Sequence, residues 1–393
     1  ATVRAVSDDP RVAFDHWTGD VPAESARMAT VGIAMDRVKS VHAVFVPQYW
    51  LYDAEAATLS DGPNIFNVTA LGGGKLRVER IRDYCLGYPD IDFSLPVRDA
   101  DGAAYTLTEI GENALGWTGV TSVKLPDTVE VIGKQAFYNC KSLTSVEPLL
   151  PDSVRYVGAL AFTYDPITNN VCIGRTRSVE LGVTPERTAP SGFDGSQFSC
   201  CDLLGDIYLG AGVTNVPSSC FFAMGAGGAL KRIEIVGAKA LEYQAFRNRN
   251  AEEVLLPNNI EVIGDFAFGN CGRLTKVTPF LPDTVRSIGV QAFWNTAVAG
   301  DLKLLSRRPV TLDASGSQFS MVTTMTSIEF GRGVTSIPGW FDCCSGGDTL
   351  TNVTCYGELT SIGKEAFRQQ NSLLDFKLNG YPELDPNAFK DIG

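Results

Sequence analysis

Hydrophobic positions recur along this chain in a spaced pattern that repeats almost unchanged. Residues 125–146 read LPDTVEVIGKQAFYNCKSLTSV, and residues 256–277 read LPNNIEVIGDFAFGNCGRLTKV. Apolar residues, glycines and the Asn-Cys pair occupy the same positions in both stretches, whereas the positions between them change. Self-similarity at a short period is typical of repeat proteins, in which each unit buries its apolar face against its neighbours.

An Ile/Val-Gly-x-x-Ala-Phe element marks each unit. Its clearest copies end at Phe137, Phe162, Phe268, Phe293 and Phe367. Units of about 20–25 residues have the length of leucine-rich repeats. Within a unit we expect a short strand, a tight bend at the glycine, and a helical turn in which Ala-Phe packs on the strands. About ten such units, stacked at roughly 4.8 Å each, would form a slab about 50 Å long.

The chain also contains a longer duplication, which spans several of the short repeats. The segment Gly-Ser-Gln-Phe-Ser at residues 195–199 recurs at residues 316–320, so residues 125–246 and 256–367 form two related blocks. The blocks differ in their insertions. The main insertion is Tyr164–Pro190, which is rich in Arg and Thr, and we interpret it as a surface excursion.

Three regions are predicted from these patterns. Residues 1–47 lack the repeat and alternate apolar with polar residues, as at Val31–Asp36 and Val41–Phe45, which indicates short antiparallel strands. Residues 48–104 are interpreted as a unit that caps the first repeat, and residues 105–393 as the repeats themselves. The fold class is therefore mainly β with short helical turns: a right-handed solenoid of parallel strands behind a small N-terminal β module.

The consensus LPxxVxxIGxxAFxxCxxLxxV resembles the BspA-type leucine-rich repeat family over residues 105–389, and residues 1–47 resemble the small β-repeat modules of bacterial surface proteins. This resemblance implies a secreted or cell-surface bacterial protein that mediates adhesion by binding an extracellular protein or glycan. It carries no transferable binding residue. The alternative is a structural spacer in a larger surface polypeptide, with no specific ligand of its own.

Charge and length limit the partners. The 393 residues carry a formal net charge of −12 and include 44% hydrophobic residues, so the chain buries a core and repels nucleic acid. No apolar stretch reaches the roughly 20 residues of a membrane-spanning helix. The chain begins at Ala1 rather than Met, which fits removal of an export signal or a shortened N-terminus. We expect an extracellular location and a monomer.

No catalytic constellation emerges from the sequence. The two histidines, His16 and His42, both lie in the N-terminal region, and we interpret them as turn or solvated residues. The segment Asp99–Gly102 lacks the further ligands of a calcium loop, and Gly72–Lys75 lacks the Ser or Thr of a phosphate loop. We therefore predict no enzyme activity, no cofactor and no metal.

The ten cysteines contain no CxxC pair, so the usual zinc and redox spacings are missing. Cys140 and Cys271 share one repeat position and are interpreted as small buried hydrophobic residues. Two clusters are open to a second interpretation, that of short-range disulfides in an exported protein. These clusters are Cys200, Cys201 and Cys220, and Cys343, Cys344 and Cys355.

Candidate contact residues fall on two surfaces. Tyr138 and Trp294 occupy the variable position after Ala-Phe, which predicts exposed aromatic rings. Strand alternation places mixed charges on the outer face of the stacked strands. The charged candidates there are Lys231, Arg232, Glu252 and Lys276. A solvated sheet face explains the same charges without any ligand.

Overall fold

Strands and turns make up the fold. The computed structural model describes residues 2–7, 12–23, 26–33, 39–82, 87, 89–183, 196–225, 230–341 and 349–391. No α-helix occurs within these ranges. Two hydrophobic clusters are present among the described residues: a small one around Trp17, and a continuous one that runs from Trp50 to Ala388.

The N-terminal region consists of short antiparallel pairs, as predicted. Its strands are β1 (Thr2–Arg4), β2 (Val12–Gly19), β3 (Thr30–Gly32) and β4 (Val41–Pro47). Strand β1 pairs with β3, and β2 pairs with β4. Trp17, Val31 and Ile33 are buried between them. The part of the predicted alternation at residues 34–36 lies outside the described residues.

Seven strands lead into the repeats, and several of them pair antiparallel. These strands are β5 (Trp50–Asp53), β6 (Thr58–Ser60), β7 (Ile65–Gly72), β8 (Lys75–Ile81), β9 (Asp90–Asp92), β10 (Val97–Arg98) and β11 (Ala104–Ile110). Strands β5 to β8 pair antiparallel in sequence order, and β8 then pairs parallel with β11. Trp50, Phe66 and Phe93 fill the layer beneath, with ring centroids 5.3–5.8 Å apart. This buried aromatic layer covers the first coil of the solenoid.

Each coil of the solenoid contributes one longer strand and one two-residue strand. In chain order they are β12 (Ser122–Lys124), β13 (Val131–Ile132), β14 (Ser145–Glu147), β15 (Tyr156–Val157), β16 (Val171–Ile173), β17 (Glu180–Leu181), β18 (Ile207–Leu209), β19 (Asn215–Val216), β20 (Arg232–Ile235), β21 (Ala240–Leu241), β22 (Glu253–Leu255), β23 (Val262–Ile263), β24 (Lys276–Thr278), β25 (Ser287–Ile288), β26 (Gly300–Leu304), β27 (Thr311–Leu312), β28 (Met325–Phe330), β29 (Ser336–Ile337), β30 (Asn352–Glu358), β31 (Ser361–Ile362), β32 (Asp375–Asn379) and β33 (Glu383–Leu384). Longer strands pair in parallel with longer strands, and short with short. Strand β9 and the longer strands from β12 to β32 form what we call the strand face, whereas β11 belongs to the sheet of the short strands.

The strand face is divided into three sheets. The first contains β9, β12 and β14, the second runs from β16 to β24, and the third from β26 to β32. The short-strand sheets end after β17 and after β27. These breaks fall at equivalent places in the two related blocks, so the duplication in sequence is also a duplication of sheet boundaries.

The interpretation of Tyr164–Pro190 as a surface excursion is wrong for its first part. Residues up to Val183 form a further coil that contains β16 and β17, with Ile167, Val171 and Ile173 in the core. This coil has no Leu-Pro-x-x-Val motif, which is why the repeat pattern did not reveal it. Residues 184–190 lie outside the described residues.

A column of side chains at one repeat position forms the centre of the core. It contains Leu115, Phe137, Phe162, Phe198, Phe221, Phe246, Phe268, Phe293, Phe319, Phe341, Phe367 and Phe389. From Phe137 to Phe319 successive rings stack with centroids 4.9–5.6 Å apart and interplanar angles of at most 21°. The spacing follows from the separation of neighbouring strands. The column has twelve positions, against the ten or so units expected.

The predicted helical turns are runs of β-turns. Tyr138 N–H donates to the Gln135 carbonyl at 3.1 Å, and Cys140 N–H donates to the Phe137 carbonyl at 3.3 Å. Gln135 and Asn139 have left-handed backbones (φ 56° and 60°), which prevents an α-helix from forming. Alternate N–H groups donate to the next coil, as Phe137 does to Ala161. We call the row of these turns, residues 134–139 and their equivalents, the turn edge.

The glycine of the repeat is explained by close packing between coils. A Cβ atom on Gly133 would lie 2.7 Å from main-chain atoms of Gly111 and Glu112, and one on Gly158 would lie 2.4 Å from the Lys134 nitrogen. No larger residue fits at that separation. The glycine therefore permits the approach of two backbones, and the tight bend expected from the sequence is not its main purpose.

The third position after the column residue forms an inner row, in which several side chains donate hydrogen bonds to main-chain carbonyls. The thiol of Cys140 donates to the Leu115 carbonyl at 3.0 Å, and the thiol of Cys271 donates to the Phe246 carbonyl at 3.2 Å. Both cysteines are buried, which confirms their core interpretation. Arg249 takes the same position and donates to the Cys201 carbonyl at 2.8 Å. Polar side chains here satisfy carbonyls that the turns leave open.

The disulfide interpretation does not hold for the first cysteine cluster. Cys200, Cys201 and Cys220 are free, and the Cys201 thiol donates to the Phe162 carbonyl at 2.7 Å. Desolvation raises the pKa of the Cys201 and Cys220 thiols, so both are protonated core groups. In the second cluster Cys355 is a free, buried thiol, and residues 343–344 lie outside the described residues.

Candidate functional site

Tyr138 lies in a row of exposed and half-buried aromatic rings on the turn edge. Its ring centroid is 5.5 Å from that of Trp117 and 5.8 Å from that of Tyr164, both in edge-to-face contact. Trp117 is 62% exposed. The Lys141 ammonium lies 5.1 Å from the centroid of the Tyr164 ring. Three successive coils thus present one aromatic patch with a cation beside it.

The local backbone explains how these rings reach the surface. Trp117 and Tyr164 occupy the second position after the column residue and have left-handed backbones (φ 66° and 70°). Tyr138 occupies the first position after Phe137. Partial burial raises the pKa of Tyr138 and Tyr164, so both phenols are neutral and able to donate hydrogen bonds at physiological pH.

Trp294 lies farther along the same turn edge. Its indole N–H donates to the Met321 sulfur at 3.2 Å, and Met321 is 41% exposed. Six coil steps separate Trp294 from Tyr138, which corresponds to about 30 Å. The structure therefore places the two predicted aromatic residues on one edge without bringing them together. Between and beyond them the edge also carries Phe266, below the Arg247 guanidinium, and Trp340.

The four charged candidates lie on the strand face, away from the turn edge, and most of their charges are compensated. Arg232 lies 3.1 Å from Glu234 and 3.9 Å from Glu253, and Lys276 lies 2.6 Å from Glu253. The hydrogen bond from Lys276 lowers the pKa of Glu253. Glu252 pairs with Arg273. Lys231 also contacts the neighbouring coil, because its main-chain N–H donates a hydrogen bond to the Asp206 carboxylate.

The pairs that Glu253 forms with Arg232 and Lys276 join neighbouring coils, and so does the pair of Glu252 with Arg273. The Arg232–Glu234 pair lies within one strand, β20. They account for the mixed charge of the surface without a ligand. A contact role for Lys231, Arg232, Glu252 and Lys276 remains a prediction. The sequence did not single out Trp117 and Tyr164, because they occupy a different repeat position from Tyr138. The signal that points to them is an aromatic residue at a position where four other units have Asn (Asn139, Asn248, Asn270 and Asn295).

The remaining chemical candidates occupy ordinary structural positions. His16 accepts or donates a hydrogen bond with Asp15 at 2.7 Å, and His42 does so with Ser40 at 2.9 Å. The Asp99 carboxylate accepts hydrogen bonds from the main-chain N–H groups of Asp101 and Ala103, which closes a turn. No group of potential metal ligands occurs among the described residues. The described part of the chain also contains no helix long and apolar enough to span a membrane.

The repeat itself identifies the family. The model of the BspA-type leucine-rich repeat region matches residues 108–182, 239–373 and 308–392 in six copies, together more than half of the chain. The chain belongs to the BspA-type leucine-rich repeat family. The matched residues include both long repeats, residues 125–146 and 256–277. A search of the curated proteins finds no match.

Solved leucine-rich repeat proteins resemble the chain over most of its length. A leucine-rich cell surface protein of Faecalibacterium prausnitzii is 19% identical, covering 82% of this chain and 95% of that protein, with a TM-score of 0.45. A leucine-rich repeat protein of Bacteroides ovatus is 21% identical, covering 84% and 91%, with a TM-score of 0.48. The pneumococcal vaccine antigen PcpA is 14% identical, covering 84% and 98%, with a TM-score of 0.37. The family assignment depends on the repeat match and not on these similarities.

Proposed function

We propose that this BspA-type repeat protein is a non-catalytic bacterial protein, secreted or held at the cell surface, that binds an extracellular protein or glycan. The observation that carries the proposal is the aromatic row Trp117, Tyr138 and Tyr164. Aromatic residues are enriched among the side chains that dominate binding energies, because they offer large contact areas at a low cost in conformational entropy. Membership of the family supports the proposed location.

The row has the chemistry of a recognition surface. Two of its rings end in neutral phenols that donate hydrogen bonds, and Lys141 adds a positive charge beside Tyr164. The rings hold one another edge to face, so little ordering is required when a partner binds. Such a patch fits a partner that combines apolar surface with hydrogen-bond acceptors.

A structural spacer is the second candidate function. The observation that favours it is the strand face, where Arg232, Glu253 and Lys276 are occupied by pairs between coils. In a spacer the polar surface serves to hold the coils together. The two functions differ in one respect, which is whether any ligand depends on the turn edge.

Binding to a panel of immobilised matrix proteins, mucins and glycans tests the proposal. We expect saturable binding to at least one member of the panel. Trp117→Ala combined with Tyr138→Ala should weaken it at least tenfold, which corresponds to about 1.4 kcal/mol. Trp117 is exposed and Tyr138 is half-buried, outside the column of the core, so a thermal melt should show at most a small loss relative to the parent protein.

Tyr356→Ala provides the matched control, because Tyr356 is 50% exposed but lies on the strand face, where it donates to Glu329. This variant should bind as the parent does. Binding that survives the loss of Trp117 and Tyr138 would remove the turn edge from the proposal. A panel without any bound member would favour the spacer.

A further inference from the structure

A cleft opens on the strand face where its first sheet ends. Strand β14 is the last strand of the first sheet, and β16 begins the second. The cleft between them has a volume of about 600 Å³, within the range of small-ligand sites. Its walls are the turns that follow three successive strands, β12, β14 and β16.

The repeat register brings four charged side chains to this cleft. Asp127 and Asp152 end the same Leu-Pro-Asp turn in successive coils. The third coil replaces that turn with Gly-Arg-Thr-Arg and so contributes Arg175 and Arg177. The cleft therefore contains two carboxylates from the ordinary repeat and two guanidinium groups from the divergent coil. No single unit shows this combination.

The charges in the cleft are not compensated in the way that those farther along the strand face are. Among the described residues, Asp127, Asp152 and Arg177 form no ion pair within 4.0 Å. Arg175 lies over the Tyr208 ring at 5.3 Å, which fixes its side chain without neutralising it. Two neighbouring arginines without an ion-pair partner are also unusual in a chain with a net charge of −12.

From this arrangement we propose that the cleft binds an anionic saccharide unit, in which a carboxylate or sulfate group lies against Arg175 and Arg177. The guanidinium fork matches either group and holds it by paired hydrogen bonds. Asp127 and Asp152 accept hydrogen bonds from sugar hydroxyls, and Ser153 lies beside them. Pro148 and Leu150 offer apolar surface to the carbon face of the ring.

This site is separate from the turn edge. Its walls follow the longer strands, whereas the turn edge follows the two-residue strands at another corner of each coil. The inference therefore does not depend on the function proposed for the aromatic row. Loss of Trp117 and Tyr138 should leave binding in the cleft unchanged, which makes failure of one proposal distinguishable from failure of the other.

Calorimetric titration of the full chain tests the inference with digalacturonate, galactose 6-sulfate, galactobiose and inorganic sulfate. We expect saturable binding of the carboxylated or the sulfated sugar, and the tighter of the two identifies the anionic group. Arg175→Gln combined with Arg177→Gln should weaken that binding at least tenfold. Arg286→Gln is the matched control, because Arg286 is a surface arginine 3.7 Å from Glu261 in the second block.

Three results would overturn the inference. The first is that neither acidic sugar binds, or that galactobiose binds as tightly as they do. The second is that inorganic sulfate binds as tightly as the sulfated sugar, which would reduce the cleft to an anion site without saccharide recognition. The third is that the double arginine variant binds as the parent does while its circular dichroism and thermal melt are unchanged.

Discussion

The two related blocks are closest in sequence in their first coil and differ most at the junction that follows. In the first block the junction carries Leu149, which is buried, and the charged cleft opens beside it. In the second block the equivalent residue is Phe280. Its ring packs edge-on against Phe293 at 5.7 Å and Phe319 at 6.2 Å. The two blocks therefore share the column of stacked rings and differ in the residues that fill the sheet boundary.

The inner row differs between the blocks in the same coil. The second block has Thr296, whose hydroxyl donates to the Phe293 carbonyl at 3.0 Å. The first block has Asp165, whose carboxylate accepts the Cys140 N–H at 2.7 Å through one oxygen. Its other oxygen is buried without a hydrogen-bond partner in the described structure. At this inner-row position the first block therefore has a buried ionisable group, whereas the second block has a hydroxyl that donates a hydrogen bond to a main-chain carbonyl.

The largest expected effect tests what the blocks share. Phe137→Ala and Phe268→Ala each remove a fully buried ring from the column. Each should lower the free energy of unfolding by about 3–5 kcal/mol, because a cavity replaces the contacts with the column residues on both sides. Urea denaturation measures both losses. The two losses should agree within about 1 kcal/mol if the column is equivalent in the two blocks.

A loss below about 1 kcal/mol at either position would break the equivalence, since surface substitutions already reach about half that value. Tyr381→Ala is the control, because Tyr381 is fully exposed. It should leave the urea midpoint unchanged.

The column was largely predictable and the junction was not. Phe137 and Phe268 stand in motifs in which apolar periodicity, glycine and Ala-Phe agree, so one coil could be recognised from another. Phe198 and Phe319 were seen only as members of a larger duplication, because Gln replaces the Ala of the Ala-Phe signature there. The structure shows that they continue the same column.

The candidate binding surfaces could not be predicted from the sequence, for a related reason. A ligand site on a solenoid is composed of residues from several coils, and its members need not share a repeat position. Trp117 and Tyr138 differ by one position within the repeat, yet their rings meet because the turns stack. Asp152 and Arg177 line one cleft because one coil departs from the consensus. Periodicity predicts the scaffold, and such departures from periodicity locate the sites.

An intermediate effect is expected from exchanging the junction residue. Phe280→Leu gives the second block the residue type of the first and removes two edge-to-face contacts. The expected cost is about 1–2 kcal/mol, since each aromatic pair contributes about 0.5–1.5 kcal/mol beyond its buried area. Hydrogen exchange of the amides in β24 and β26 should accelerate locally. Tyr381→Leu, an exposed aromatic replaced by the same residue, should change neither quantity.

An unchanged stability in Phe280→Leu would show that the ring does not stabilise the sheet boundary and that the two junctions contribute equally to the free energy of unfolding. A loss near that of Phe268→Ala would instead place Phe280 in the column. The expected value lies between these limits because the ring is half-buried.

The smallest effect concerns Asp165 and depends on pH. Burial raises the pKa of this carboxyl group well above its ordinary value, and the Cys140 N–H and the Lys141 charge offset only part of the rise. Because the folded-state pKa is above the unfolded one, the protonated form favours folding. Its contribution is complete below the unfolded pKa of about 3.9 and is lost as the pH rises through the folded pKa.

Asp165→Asn should therefore stabilise the protein by about 1 kcal/mol at pH 8 and have little effect at pH 3, because the amide cannot ionise. Urea midpoints of the variant and the parent across pH 3–8 measure the difference, which cancels the titration of surface carboxylates common to both. Thr296→Val is the matched change in the second block and should cost about 1 kcal/mol at every pH. A pH-independent effect of Asp165→Asn would show that the pKa of Asp165 is the same in the folded and the unfolded chain. The inner row would then tolerate a charge in the first block at neutral pH, as it tolerates the buried Arg249 three coils farther along.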